Sequence, residues 1–327
     1  MASSADAAGP EIVCVGMSTV DVWVQGFSAA PSTGGVAFVD TIGMGVGGDA
    51  LNQAITLSRL GHATALLSVV GRDNAGQLVR QLTSAAGVDV TGVAEDPSLV
   101  TSMAVALIDE EGERRFLAHR QGSAHQLARR HLSPDRLRTG LKVLSVGSLM
   151  CSAELDLDAL SPLLTRAREL GAVTVADMVA DRFEATLGEL RPVLQQLDYL
   201  VPSLGEVEHY TGTSDLPAAA KIIAGYGVGT VVIKQGAAGA TAFGGDKSWH
   251  VASYDVPVRD TTGSGDNFVA GFVSGLATGL PVEECLQRGA ATAALSVQHI
   301  GANGGVDGLD SVQQMINHGK LHPFVAT

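Results

Sequence analysis

DTTGSGDNFVAGF, residues 260–272, places two glycines and a serine immediately before an acidic residue and then begins a helical pattern. The preceding VPVRD predicts a strand ending at Asp260, and TTGSGD a turn that glycine permits. Asn267–Leu276 then reads as a helix with Ala270, Gly271 and Gly275 on its packing side. A loop feeding a helix N-terminus aims free backbone N–H groups and the positive end of the helix dipole at one point. Gly263 and Gly265 let a ligand approach without a Cβ in the way. An anion cradle alone has no use for Asp266, whose charge repels a phosphate. The pairing makes sense if Asp266 is a base beside a moving phosphoryl group whose charge the amides hold. The competing reading of this segment is that Asp266 caps the helix.

The other 314 or so positions bound the answer, since the chain has 327 residues. Hydrophobic residues make up 46% and aromatics 4%, with 40 glycines, so the core is aliphatic. Such a core suits a parallel sheet covered by helices. The net charge of −13 argues against nucleic acid, which is bound by neutralising phosphates with Lys and Arg. A few backbone amides can still hold a small anion. Cys14, Cys151 and Cys285 form no paired or metal-binding pattern, and the six-residue spacing of His119, His125 and His131 suits neither helix nor strand. MASSADAAGP at residues 1–10 lacks the basic and apolar regions of a signal peptide and reads as a flexible tail. No run of about 18 apolar residues offers a membrane span, and a cytoplasmic setting is expected.

Apolar runs and helical patterns alternate from residue 11 onward: EIVCVG, DALNQAITLSRLG, ATALLSVVG, NAGQLVRQLTSAAG, LKVLSVG, LSPLLTRAREL, VTVAD, LDYLVP and TVVIKQG. Repeated strand–helix alternation implies right-handed crossovers in a doubly wound, mostly parallel α/β sheet with helices on both faces. Two stretches break the rule. Residues from about 22 to 43 and from about 101 to 122 read as strand pairs, the second turned at DEEGE. They are expected to project together as a small β-sheet from a single domain spanning residues 11–327. VAFVDTIG and MAVALI are too apolar to stay bare, so two such sheets are expected to pair in a homodimer.

Two other glycine loops compete for a nucleotide. GMGVGG, residues 43–48, matches G-x-G-x-x-G, but a dinucleotide fold wants that loop straight after the first core strand, which ends at Gly16. GGDKS, residues 244–248, resembles the end of a Walker loop, but Asp246 precedes Lys247 and no strong helix follows.

DTTGSGD closely resembles the C-terminal signature of the ribokinase-like (PfkB) carbohydrate kinases, with Ser264 where alanine is commoner. VGGDALNQAITLSRLG resembles the N-terminal signature through Gly47, Gly48, Asn52 and Gly61, and CVGMSTVDVWV the first strand, with Asp21 five residues after Gly16. VVGRDNAG supplies Gly71, Asp73 and Gly76, and the likeness runs from about Ile12 to about Val306.

The resemblance implies an ATP-dependent kinase with the small sheet as a lid. Asp266 becomes the catalytic base and Gly263, Ser264 and Gly265 the anion hole. Asp21 and Asn52 would bond sugar hydroxyls, a carboxylate accepting and an amide both donating and accepting; the bland alternative is that both cap turns. Gly47 and Gly48 would allow close approach and a hinge. In VIKQGAAG, Gly236 and Gly239 would lie along ATP, and Gly265 would also bind the nucleotide; Lys234 would meet a phosphate, or be an exposed loop lysine. GAATAALSVQHIGANGG, residues 289–305, resembles the helix and loop flanking adenine. A monovalent cation, usually potassium, is implied between Asp260, Thr262 and the carbonyls of Gly301 and Gly305. The family's N-x-x-E, which helps hold the water shell of Mg2+, is here Ser203 through Glu206, and DMVADRF keeps only part of another family strand end.

The implied reaction is γ-phosphoryl transfer from ATP to a hydroxymethyl group of a ribose-like or ketose sugar. Adenosine-like nucleosides and sugar phosphates are the alternatives, the latter wanting the lid's Arg114, Arg115 and Arg120 as an anion cluster. A non-catalytic sugar sensor on the same fold would need no base, and an NAD-dependent oxidoreductase rests on GMGVGG alone.

Overall fold

Ile12 and Cys14 point into one apolar layer and Val13 and Val15 into another, and all are buried. A strand covered on both faces is the mark of a parallel sheet sandwiched by helices. The computed structural model describes residues 9–27, 35–109, 114–179 and 185–322. In chain order these form β1 (Ile12–Val15), β2 (Thr19–Gln25), β3 (Thr41–Gly47), α1 (Asp49–Arg59), β4 (Thr64–Gly71), α2 (Asn74–Ala85), β5 (Val93–Asp96), β6 (Met103–Ile108) and β7 (Arg114–Ala118). There follow β8 (Val143–Leu149), α3 (Leu160–Glu169), β9 (Val173–Met178), α4 (Arg191–Leu194), β10 (Tyr199–Leu200), α5 (Leu204–Thr211), α6 (Leu216–Ala224) and β11 (Thr230–Lys234). The chain closes with β12 (Ala240–Gly244), β13 (Lys247–Val251), α7 (Ser264–Ala277), α8 (Val282–Ser296) and α9 (Leu309–His318).

The main sheet runs β13-β12-β11-β10-β9-β8-β1-β4-β5. It is parallel from β11 to β5, and the β12–β13 hairpin adds an antiparallel edge. One layer collects α1, α2, α7, α8 and α9, the other α3 to α6. Strand order reverses direction at β1, which lies between β4 and β8, and in open α/β sheets the crevice at the carboxyl ends of such a switch point is where ligands bind. No helix among the described residues is long and apolar enough to cross a membrane.

The second sheet, β3-β2-β6-β7, stands apart from the first. β2 and β6 run parallel at its centre, each flanked by an antiparallel partner. The β2–β3 pair extends beyond the expected 22–43, with β2 starting at Thr19 and β3 reaching Gly47, because their pairing continues to the Thr19–Gly47 register, while β6 and β7 fall within the expected 101–122. The β6–β7 turn, residues 110–113, lies outside the described residues, as do residues 180–184, which take in the end of DMVADRF, and residues 1–8 of the tail.

Two local expectations are corrected. Residues 256–260 form no strand; the N–H groups of Arg259 and Asp260 turn to the Val297 carbonyl at the end of α8. α7 begins at Ser264, not Asn267, so Asp266 lies inside its first turn. α1 is buried from Ala50 through Leu57, because it lies between the sheet and α7. GGDKS is the β12–β13 hairpin turn.

Candidate active site

The GMGVGG stretch is edge strand β3, and its glycines answer to neighbours on β2. A Cβ at Gly47 would overlap the Asp21 carboxylate, and one at Gly43 would overlap the Trp23 indole. Gly48, at φ 99, turns the chain from the small sheet into α1 and presses against the Met17 carbonyl. These contacts bring Asp21 of the lid and Asn52 of α1 to one crevice. Thr19 Oγ1 donates to Asp21 (2.9 Å), and burial raises the Asp21 carboxyl above its usual range.

Asp266 sits opposite, 8% exposed, on the first turn of α7. The helix N-cap is Gly263, in the left-handed region at φ 70, and no side chain caps it. Asp266 therefore does not cap its helix. Its carboxylate accepts from Asn52 Nδ2 at 2.7 Å, while Asn52 Oδ1 is buried without a partner. Burial lifts the Asp266 carboxyl to about 6, opposed by the Asn52 hydrogen bond and by Lys234, and assisted by Asp21. That value suits a base working near neutral pH.

Asn267, which the sequence reading left as an ordinary helix residue, holds this turn in place. Its Nδ2 donates to the carbonyls of Gly263 (2.8 Å) and Ala302 (2.9 Å), and its Oδ1 accepts from Thr56 of α1 (2.7 Å). The Ser264 N–H is turned to the Thr261 carbonyl (3.1 Å), leaving the Gly265 and Asp266 amides in the first turn, where a helix supplies no partner. Asp260 ties the preceding turn to the 301 loop: its carboxylate accepts from Thr262 N (2.7 Å) and Gly301 N (2.8 Å). Gly305 lies farther along that loop, against the Leu295 carbonyl.

Lys234 ends β11 with a largely buried side chain, so the exposed-lysine alternative falls. Its Nζ donates to Asp177 Oδ1 at 2.6 Å, and a Cβ at Gly265 would lie 3.4 Å from that nitrogen. Burial pushes the Asp177 carboxyl up to about 7 against the pull of Lys234. Asp49, which sequence reasoning also passed over, begins α1; burial and the charges of Asp266 and Asp177 hold its carboxyl well above the usual range, and its Oδ2 has no partner. Ser203 and Glu206 form a capping box on α5: Glu206 Oε2 accepts from Ser203 N (2.7 Å) and Ser203 Oγ from Glu206 N (3.4 Å).

Two cavities meet this crevice. One, of about 260 Å3, is lined by Lys234, Gly236, Gly239, Ser264 and Gly265 at its polar end and by Val256, Phe268, Ala290 and Ala294 elsewhere. The other, of about 430 Å3, lies between the lid and the Asp260 and Gly301 loops and includes Asp21. The polar-ended, apolar-walled cavity has the form a nucleotide base and its phosphates require. Ala290 and Ala294 lie in the 289–305 stretch expected beside adenine; Val256 and Phe268 were not legible beforehand, because only folding brings the 256–258 segment and α7 to α8. His125 and His131 lie elsewhere, against Cys151 and Asp96.

The sequence model of the pfkB family carbohydrate kinases matches residues 10–307, and the chain belongs to that family. It is accordingly an ATP-dependent carbohydrate kinase, a phosphotransferase with an alcohol group as acceptor. Among curated relatives it is 27% identical over 260 residues to the fructosamine kinase of Bacillus subtilis, covering 79% of this chain and 86% of that one. It is 25% identical over 283 residues to the ribokinase of Haemophilus influenzae, covering 83% and 87%. The fold matches that of the Arabidopsis thaliana ribokinase complexed with ribose and ATP at a TM-score of 0.82 and 23% identity, covering 94% of this chain and 99% of that one.

Proposed function

We propose that the protein transfers the γ-phosphoryl group of ATP to a hydroxymethyl group of a ribose-like or ketose sugar. The observation that carries this is Asp266: a buried carboxylate lifted to about 6, held by Asn52, with Asp21 on the lid side and Gly265 and Lys234 on the side of the nucleotide-shaped cavity. Asp21 and Asn52 Oδ1 orient the sugar. Asp266 takes the proton of the attacking hydroxyl as its oxygen bonds to the γ-phosphorus, the bond to the β-phosphate oxygen breaks, and ADP leaves. The amides of Gly265 and Asp266, at the positive end of α7, hold the charge of the moving group. Gly236 and Gly239 flank the nucleotide.

Asp49 feels Asp266, Asp177 and Glu206 as like charges and Lys234 as an opposing cation. A polyanion entering such surroundings needs a further cation. Among the described residues no three His, Cys, Asp or Glu side chains converge on one point. Both facts fit Mg2+, which keeps several waters and arrives on its phosphates. Mg2+ would supply charge neutralisation, with Glu206, Ser203 and Asp177 on the water side. A potassium ion between the Asp260–Thr262 turn and the Gly301–Gly305 loop belongs to the same reading; Asn303 Oδ1, buried there without a partner, is a donor atom of the right kind.

Sugar phosphates stay among the alternative acceptors: strand alternation puts Arg115 on the face of the lid away from Asp21, but Arg59 lines the cavity that includes Asp21. Nucleosides of adenosine type remain a second acceptor class. A sensor would have no use for a tuned, buried base. Cys14, Cys151 and Cys285 are buried and form no disulfide, in keeping with the cytoplasmic setting that belongs to this reading.

ADP release measured with ATP, Mg2+ and a panel of sugars, nucleosides and sugar phosphates tests the reading. Asp266→Asn should fold, bind ATP and lose roughly a hundredfold to ten-thousandfold in turnover. Wild-type turnover in that variant at saturating substrates would end the mechanism.

A further inference from the structure

Two cross-strand rows of the lid share the face that carries Asp21. The inner row reads Gly45, Asp21, Ala104, Ala118, and the row two residues farther out reads Gly43, Trp23, Ala106, Phe116. Alternation puts both rows on one side of the sheet, about 7 Å apart. The inner row is built for a polyol, one carboxylate among small residues. The outer row offers no carboxylate or amide. It offers two aromatic rings with an alanine between them.

The glycines of β3 decide where the Trp23 ring lies. The indole leans over Gly43 and Gly45, away from Ala106; a Cβ at Gly45 would stand 3.3 Å from the ring and one at Gly43 would overlap it. Ala106 is thereby left uncovered, with Trp23 to one side and Phe116 to the other. Their strands, β2 and β7, are two strand spacings apart, roughly 10 Å. This slot opens into the 430 Å3 cavity that Asp21 also lines. Cavities of roughly 300–1,000 Å3 are the size used for drug-sized ligands. Phe116 is 61% exposed although it faces the cavity, so a bare sugar held at Asp21 would leave it against water.

We propose that the acceptor is a sugar bearing a planar apolar substituent, held over Ala106 between Trp23 and Phe116. This rests on the sugar-kinase reading and narrows its substrate class. The hydroxymethyl group faces Asp266, the ring hydroxyls meet Asp21, and the substituent reaches outward along β2 to the aromatic slot. A second copy of the chain has the other side of the lid to cover, where Met44 and Leu117 point.

The test compares ribose with phenyl ribofuranoside, and fructose with 1-anilino-1-deoxyfructose. The aryl conjugate of the accepted sugar should show at least tenfold higher kcat/KM, mainly through KM. In Trp23→Ala and Phe116→Ala, checked for folding by thermal midpoint, the conjugate-to-free ratio should fall towards one. Equal efficiency for free and conjugated sugars overturns the proposal and leaves the kinase reading standing. A preference for 6-aminohexyl ribofuranoside over the phenyl compound overturns it in favour of an alkylammonium. An equal loss on free and conjugated sugar in Trp23→Ala assigns the indole to the sugar ring and overturns it too. A binding readout separates the two readings: the chain has two tryptophans, so Trp249→Phe leaves Trp23 as sole indole reporter. Its fluorescence should change with the aryl conjugates far below the concentration needed with ribose or fructose. That response without turnover would sink the kinase reading alone, and its absence would sink the slot.

Discussion

Asp266 keeps its proton to a pH at which an exposed aspartate, with its usual value of about 3.9, is fully ionised. Two consequences follow from the sign of that shift. Only the ionised form can act as base, so kcat/KM should fall on the acid side through about pH 6. Asn52 opposes the shift by donating to the carboxylate. Asn52→Ala should therefore move the acid limb upward, with the turnover deficit shrinking as pH rises; a limb left in place would show that Asn52 does not tune the base. Stability runs the other way. A carboxyl whose folded value exceeds its unfolded one contributes stability that is full below about pH 4 and is lost as pH rises through about 6. Asp266→Asn, neutral throughout, should raise the thermal midpoint at pH 8, and the gain should vanish near pH 4. A midpoint difference independent of pH would contradict the assignment.

The first turn of α7 is tied to other elements. Asn267 joins that turn to the 302 loop and to α1, and Asp260 joins the chain before it to Gly301. The motif was plain in residues 260–272, as were the glycines of both signatures. The ties were not, because Thr56 and Ala302 are 211 and 35 positions from Asn267 and nothing local marks them. A monovalent cation between the two loops would order the anion hole without touching the sugar. Potassium should therefore raise kcat more than it changes the sugar KM, relative to a buffer of a large organic cation. Identical rates in tetramethylammonium and potassium would remove the ion from the scheme.

At the scale of the molecule, the lid exposes aliphatic side chains on the face away from Asp21. The row Met44, Val22, Val105, Leu117 and the next position, Ile42, lie there, with Ile42 69% and Leu117 59% exposed. A monomer would keep this sheet face in water, and a second lid of the same composition would cover it. Light scattering at micromolar concentration should give a dimer, and Leu117→Glu should shift it towards monomer while the large domain stays folded. A clean wild-type monomer would refute the lid pairing.

Local rules carried the strand–helix alternation, the glycine turn before α7 and the placing of Asp266 beside it, since a 3.6- or 2-residue period and a glycine turn are properties of neighbouring residues. They stopped where partners are distant in sequence. The tuned state of Asp266 depends on Asn52 across 214 residues, and the burial of Lys234 on Asp177 across 57. GMGVGG shows the limit most clearly. Read alone it is a loose dinucleotide match, but pairing with β2 gives its glycines their reason, room for the Asp21 carboxylate and the Trp23 ring. Electrostatic tuning and close contact depend on distances that only folding sets, so chain periodicity carries no trace of them.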